Sequence, residues 1–240
     1  MYVRVSEQQA STRIPYVLVH GLLISSLYML PTGRLLAADR AVYIPDLPGF
    51  GWSEHPEEVL DIRGLGSALL GALDELAIPR AILLGNSLGC QVVAEVAARA
   101  PERVAAAILT GPTMDRVART PLAEAGRLTL DIPLERPTMF GCQLMGFLQG
   151  GPIEFLRTLH YALVDRIEEK LPVMPMPTLI VRGSQDPIVP QRWIEELVAL
   201  LPDGYLKVVP GAPHALNYSR APALVQLSME FVRQVLVERE

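Results

Sequence analysis

The sequence predicts an α/β domain, a mostly parallel sheet covered by helices on both faces and carrying one helical insertion. Three observations lead there. Short apolar runs rich in branched residues recur along the chain, and each ends in Gly, Pro or Asp, as buried strands do. Stretches with helical periodicity lie between several of them, the pattern of strand–helix–strand crossovers. The alternation fails once, over residues 113–172, which are rich in Leu, Met, Phe, Arg and Pro but poor in strand signals.

In chain order the strand-like runs are "YVLVHG", "AVYIPD", "AILLG", "AAAILTG", "TLIVRG" and "YLKVVPG". Helical patterns cover residues 27–38, 61–77, 87–100, 191–201 and 222–237. Right-handed crossovers then set the strand C-termini, with their loops, along one edge of the sheet. Inside the interruption, "MFGCQLMGFLQGG" and "IEFLRTLHYALVDRIEEK" read as short amphipathic helices. A structureless loop of that length is improbable in a compact domain. The expected organisation is therefore a core of residues 1–112 and 173–240, with residues 113–172 as a helical cap over the sheet edge. The stretch "LPVMPMPTLIV" returns the chain to the core.

Composition limits the function classes. The chain has 240 residues, half of them hydrophobic, and a net charge of -5, which suits one large domain or a domain with an insertion. An acidic balance without a basic stripe argues against nucleic acid and anionic membrane as partners. No apolar run approaches the ~20 residues of a membrane span. The start, "MYVRVSEQQASTR", is polar where a secretory signal needs an apolar core, so a cytoplasmic location is expected. Cys90 and Cys142 are too far apart and too few for a disulfide framework or a metal site. The histidines at 20, 55, 160 and 214 show no paired ligand spacing, and no phosphate loop or dinucleotide fingerprint occurs.

The chemistry concentrates at "AILLGNSLGCQVV", where an apolar run meets a helical pattern at Gly85-Asn86-Ser87-Leu88-Gly89. This is G-x-S-x-G. A strand turning sharply into a helix brings backbones together on either side of the turn, so glycines flank the serine. Ser87 then stands at the apex beside a helix N-terminus, which favours developing negative charge. A hydroxyl nucleophile needs a base, and the base an orienting acid. Asp186, in "TLIVRGSQDPIVP", and His214, in "LKVVPGAPHALNYS", both follow strand-like runs and so fall on the edge that carries Ser87. Two backbone donors are expected to hold an oxyanion, the N–H of Leu88 and the N–H of Leu22 after "VLVHG". His20 is expected to shape that loop by hydrogen bonding.

These stretches together resemble the α/β-hydrolase superfamily in its capped branch. The matching segments are "VHG" (19–21), "DLPGFGWS" (46–53), "GNSLG" (85–89), "RGSQDPIVP" (182–190) and "PGAPH" (210–214). The order Ser87, Asp186, His214 is the order that resemblance expects. It implies a sheet of about seven strands, since little chain precedes "YVLVHG" and the first of the usual eight is missing. It also implies a cap inserted after the sixth strand of the usual order, a small-molecule substrate and no cofactor. Serine at position 87, where haloalkane dehalogenases and epoxide hydrolases carry Asp, points away from those branches. Leu22 and Leu23 replace the glycine-containing part of "HGxG". Asn86 before the serine is similar to C–C hydrolases of ring-fission products, but Ala215 stands where those commonly carry Trp.

The expected activity is hydrolysis of a small or medium, mainly apolar ester, thioester or lactone. C–C bond hydrolysis, acyl transfer and low-turnover ligand reception are the alternatives. Asp115 is a second candidate for the acid. Tyr28, Phe50 and Trp52 are candidates for the pocket mouth, and Arg136, Arg157 and Arg166 for holding a substrate carboxylate. His160 reads as structural. The apolar side chains of "TMFGCQLMGFLQGGPIEFLRTL" are expected partly to pack on the core and partly to roof the pocket.

Overall fold

Successive side chains of a strand leave it in opposite directions, and the sheet uses this to build two cores. In the computed structural model, which describes residues 1–7 and 13–237, strand β2 (Tyr16–Val19) sends Tyr16 and Leu18 into one apolar cluster and Val17 and Val19 into the other. Strands β4 (Ala81–Asn86), β5 (Val104–Thr110) and β6 (Thr178–Gly183) are buried throughout and divide in the same way. Ile82, Ile108 and Leu179 face one side, and Leu83, Leu109 and Ile180 the other. With β1 (Val3–Val5), β3 (Val42–Pro45) and β7 (Gly204–Val209) they form a seven-stranded sheet in the order β1-β3-β2-β4-β5-β6-β7. Every pairing is parallel except β1 with β3.

Helices α1 (Ser26–Leu36) and α8 (Ala221–Val237) cover one face, burying Met29, Leu36, Leu224 and Phe231. Helices α2 (Ile62–Glu75), α3 (Leu88–Arg99) and α7 (Gln191–Leu200) cover the other with Leu65, Leu69, Val92, Val96 and Trp193. The Trp193 indole is wholly buried and donates to the Pro112 carbonyl at 3.1 Å, so no polar atom is stranded. Asp61 caps α2 by accepting from the Gly64 N–H at 2.7 Å. All six predicted strands and the five helices predicted outside the insertion are present. β1 had no signal of its own, because three residues are too few to show alternation. Residues 8–12 of the polar N-terminal stretch, and 238–240, lie outside the described residues.

Between β5 and β6 the chain forms α4 (Pro121–Asp131), α5 (Pro137–Val164) and α6 (Ile167–Lys170). Thr120 caps α4 by accepting from the Ala123 N–H at 3.2 Å, and Pro121 opens it at a position needing no donor. α5 breaks at Gly151, whose φ of 76° lies outside the helical range, just before Pro152. Met139 of α5 is buried, whereas Leu144, Met145, Phe147, Leu148 and Leu156 are exposed, so much of the predicted apolar roof faces solvent instead. Among the described residues no helix is long and apolar enough to cross a membrane.

Candidate active site

Ser87 makes the turn between β4 and α3 alone, with φ 54° and ψ -120°. A side chain in that region costs about 1–3 kcal/mol of strain, so the surroundings must hold it there. They do so by close approach. A Cβ on Gly85 would sit 2.5 Å from the Gly89 carbonyl oxygen, and one on Gly89 would sit 2.8 Å from that of His20. The Ser87 N–H donates to the Thr110 carbonyl at 3.0 Å, and the Ser87 carbonyl accepts from Cys90 N–H at 2.9 Å. Asn86 is fully buried, accepting from the Tyr28 hydroxyl at 2.7 Å and donating to the Thr110 carbonyl at 3.2 Å.

Asp186 and His214 meet beyond the ends of β6 and β7. The Asp186 Oδ2 lies 2.8 Å from His214 Nδ1, while Oδ1 accepts from the N–H groups of Ile188 and Val189 at 2.8 and 3.0 Å. The carboxylate is thus pinned on one oxygen and offers the other to the imidazole. That contact assigns the proton to Nδ1 and leaves Nε2 as the ring's acceptor. Gly111, at φ 56° after β5, leaves the space the pair needs, because a Cβ there would come within 3.0 Å of the His214 ring. Asp115 is not at this position. It accepts from Arg127 at 2.7 Å and from Arg192, away from the imidazole.

Ser87, His214, Leu22 and Leu88 all line one cavity of about 90 Å³. No hydrogen bond joins the Ser87 hydroxyl to the imidazole among the described residues, a contact that often tightens only when substrate binds. Leu88 opens α3, so its N–H has no intrahelical acceptor. Leu23 occupies the place of the second glycine of "HGxG" and still adopts φ 64°. The loop lies against the elbow, with space for a Cβ on Gly21 ending 3.2 Å from Ser87 Cβ. His20 is buried, with Nδ1 donating to the Gly21 carbonyl at 2.8 Å and Nε2 accepting from Leu47 N–H at 3.0 Å. Those bonds fit a neutral ring, and burial lowers its pKa.

Of the aromatic candidates, Tyr28 lines the cavity, Phe50 is buried edge-on against His20, and Trp52 is 67% exposed. Arg136, Arg157 and Arg166 are not among the lining residues, and Arg166 pairs with Glu169 at the surface. From the insertion, Met139, Gln143, Phe155 and Leu159 line the cavity.

A sequence profile described as the alpha/beta hydrolase family matches residues 16–227. The chain belongs to that family. It is an enzyme of hydrolase type. Among similar alpha/beta hydrolases, a dihydrolipoyllysine-residue acetyltransferase component of an acetoin cleaving system from Pseudomonas putida is 30% identical over 92% of this chain, which spans 64% of that relative's length. A 2-hydroxy-6-oxo-6-phenylhexa-2,4-dienoate hydrolase from Burkholderia cepacia is 27% identical over 83% of this chain and 79% of its own. The solved enol-lactonase from Burkholderia xenovorans shares the fold with a TM-score of 0.83 at 20% identity, covering 96% of this chain and 95% of that one.

Three carboxylates that sequence reasoning passed over surround the histidine of this alpha/beta hydrolase. Asp131 Oδ1 accepts from the His214 N–H at 3.3 Å, and Glu135 Oε1 accepts from the Ala215 N–H at 2.5 Å. Glu124 lines the cavity with Asp131. All three are buried. Burial raises Glu124 and Glu135 to about 7 and raises Asp131 as well. For His214 burial acts downward, but Asp186, with Asp131 and Glu135 behind it, outweighs burial and raises the imidazole to about 9. If His214 serves as a general base it must be neutral to do so, and kcat/KM should then climb with pH until it levels near 9. Glu135→Gln keeps an acceptor for Ala215 and removes a charge, so the limb should move to lower pH. An unchanged limb in that variant would separate Glu135 from the histidine's titration.

Proposed function

We propose that the protein hydrolyses a small or medium, mainly apolar ester, thioester or lactone through an acyl-enzyme on Ser87. The observation that carries the reading is the Asp186–His214 hydrogen bond at 2.8 Å on the cavity that Ser87 also lines. In this mechanism His214 Nε2 takes the proton as Ser87 Oγ attacks the carbonyl carbon. The N–H groups of Leu88 and Leu22 hold the resulting oxyanion. Asp186 keeps the Nδ1–H tautomer and stabilises the imidazolium that forms. His214 then protonates the leaving group, and water repeats the sequence on the acyl-enzyme. Residues 1–112 and 173–240 act as the catalytic core, and residues 113–172 as a cap whose Met139, Phe155 and Leu159 meet the acyl group.

Asn86 before the serine favours C–C hydrolysis as a second reading. The cavity weighs against it, because a dienoate such as the one named for the Burkholderia cepacia relative carries a carboxylate, and among the described residues no Arg or Lys lines this cavity. Acyl transfer uses the same residues and differs only in which acceptor reaches the acyl group.

Ser87→Ala should reduce kcat on chromogenic esters by roughly 10⁴-fold or more while leaving the fold intact, since the lost oxygen is chemical rather than a packing element. Undiminished activity in the purified variant would remove Ser87 from the mechanism. Negligible turnover by the wild type, with equal ligand binding by both proteins, would favour a receptor. Across acetyl to octanoyl esters, kcat/KM should rise over the first additions, each methylene adding up to ~0.8 kcal/mol, and fall once the chain outgrows the cavity. A series that falls from acetyl onward would contradict an apolar acyl site.

A further inference from the structure

Most polar side chains on the cavity beside Ser87 are already committed to partners within the protein. The Tyr28 hydroxyl donates to Asn86 at 2.7 Å, and Asp186 engages the His214 imidazole at 2.8 Å. Glu124 pairs with Arg127 at 3.5 Å, and Asp131 hydrogen-bonds Glu135. Thr113 differs. It lines the same cavity at 3% exposure, and its Oγ1 is buried with no hydrogen-bond partner among the described residues. Buried hydroxyls in folded proteins nearly always have a partner, so this one calls for an explanation.

The backbone around Thr113 is pinned, so a small shift of the chain does not bring the hydroxyl a partner. The Gly111 N–H donates to the Val181 carbonyl at 2.9 Å, and the Pro112 carbonyl accepts from the wholly buried Trp193 indole at 3.1 Å. The Met114 carbonyl accepts from Arg119 at 3.1 Å. Thr110, three residues earlier, accepts the Ser87 N–H and so ties this segment to the elbow. Gln143 of α5 brings a neutral amide to the same cavity, whereas among the described residues no Arg or Lys lines it. An anionic substituent therefore finds no counter-ion there. What the cavity offers is a fixed, neutral donor and acceptor on a wall shared with Met139, Phe155 and Leu159.

We infer that Thr113 is a specificity-determining residue whose hydroxyl bonds the substrate, so that the preferred acyl chain carries a neutral hydroxyl group and is not a bare hydrocarbon. The inference rests on the cavity being the acyl site of the proposed function. A hydroxyl substituent both donates and accepts, as the threonine hydroxyl does, so the bond forms in either direction. A plain alkyl chain of the same length leaves the Thr113 oxygen buried against carbon. Sites built to bond a substrate hydroxyl reject the analogue lacking it for that reason.

The test compares 4-nitrophenyl 3-hydroxybutanoate, each enantiomer separately, with 4-nitrophenyl butanoate. Each kcat/KM is divided by that ester's spontaneous hydrolysis rate. In the wild type the better enantiomer should exceed butanoate by about fivefold or more, the worth of one neutral hydrogen bond. Thr113→Val keeps the shape of the side chain and should abolish that preference, whereas Thr113→Ser keeps the oxygen and should retain most of it. Thr113→Ala carries the same expectation as Thr113→Val if the latter does not fold. No preference in the wild type, or one that survives loss of the oxygen, overturns the contact. Calorimetry with methyl 3-hydroxybutanoate and methyl butanoate on the Ser87→Ala protein separates this inference from the mechanism it rests on. If binding there favours the hydroxyl and needs Thr113, but the wild type turns over no ester, the contact stands and the hydrolase mechanism falls. If the wild type turns over both esters at equal corrected rates, the mechanism stands and the contact falls.

Discussion

The turn at Ser87 is the constraint on which the arrangement depends. One non-glycine residue must hold φ 54° while β4 delivers the chain to α3 in a single step. The strain is tolerated because neighbouring backbones lock it from three sides. Gly85 and Gly89 let the strand and helix ends close on each other and on β2, and Gly21 lets the loop after β2 lie against the serine. Thr110, at the end of β5, accepts the Ser87 N–H and the Asn86 amide, so the central sheet positions the elbow. Parallel strands then bring Asp186 and His214 to the same edge, and Gly111 keeps the gap between β5 and the histidine open.

The helical insertion does more than cover the cavity. It supplies Asp131 and Glu135 to the backbone N–H groups of His214 and Ala215, so the histidine loop is held from the core side by Asp186 and from the insertion side by two further acids. The proposed base and the proposed cap are therefore mechanically joined. A displacement of the end of α4 would carry these acceptors away from the loop and alter the field at the imidazole. Buried polar networks of this kind hold a geometry firmly when satisfied and are sensitive to loss of any member.

Much of this was legible in the sequence because the signals are local. The elbow announces itself by glycines two residues either side of a serine at a strand-to-helix junction. Asp186 and His214 follow apolar runs whose strand character is plain. Gly111 ends the β5 run, yet only the fold shows which side chain would collide with a methyl there. Glu124, Asp131 and Glu135 gave no signal. They sit in a segment whose leucines at 122, 130 and 134 are exposed, so its apolar pattern does not mark the buried face. Their burial follows from where α4 lies on the core, which no spacing encodes. The apolar roof was overread for a related reason, since α5 turns at Gly151 and leaves Leu144, Leu148 and Leu156 in solvent.

The central claim is that Ser87 is a nucleophile activated by His214, and covalent trapping tests it most directly. A fluorophosphonate reagent transfers its phosphonyl group to an activated serine with loss of fluoride, and intact-mass and peptide analysis locate the adduct. The account predicts one adduct per chain, on Ser87, forming at least a hundredfold more slowly in His214→Gln, because the hydroxyl there has lost its base. Labelling at any other residue, or an equal rate in His214→Gln, would contradict it.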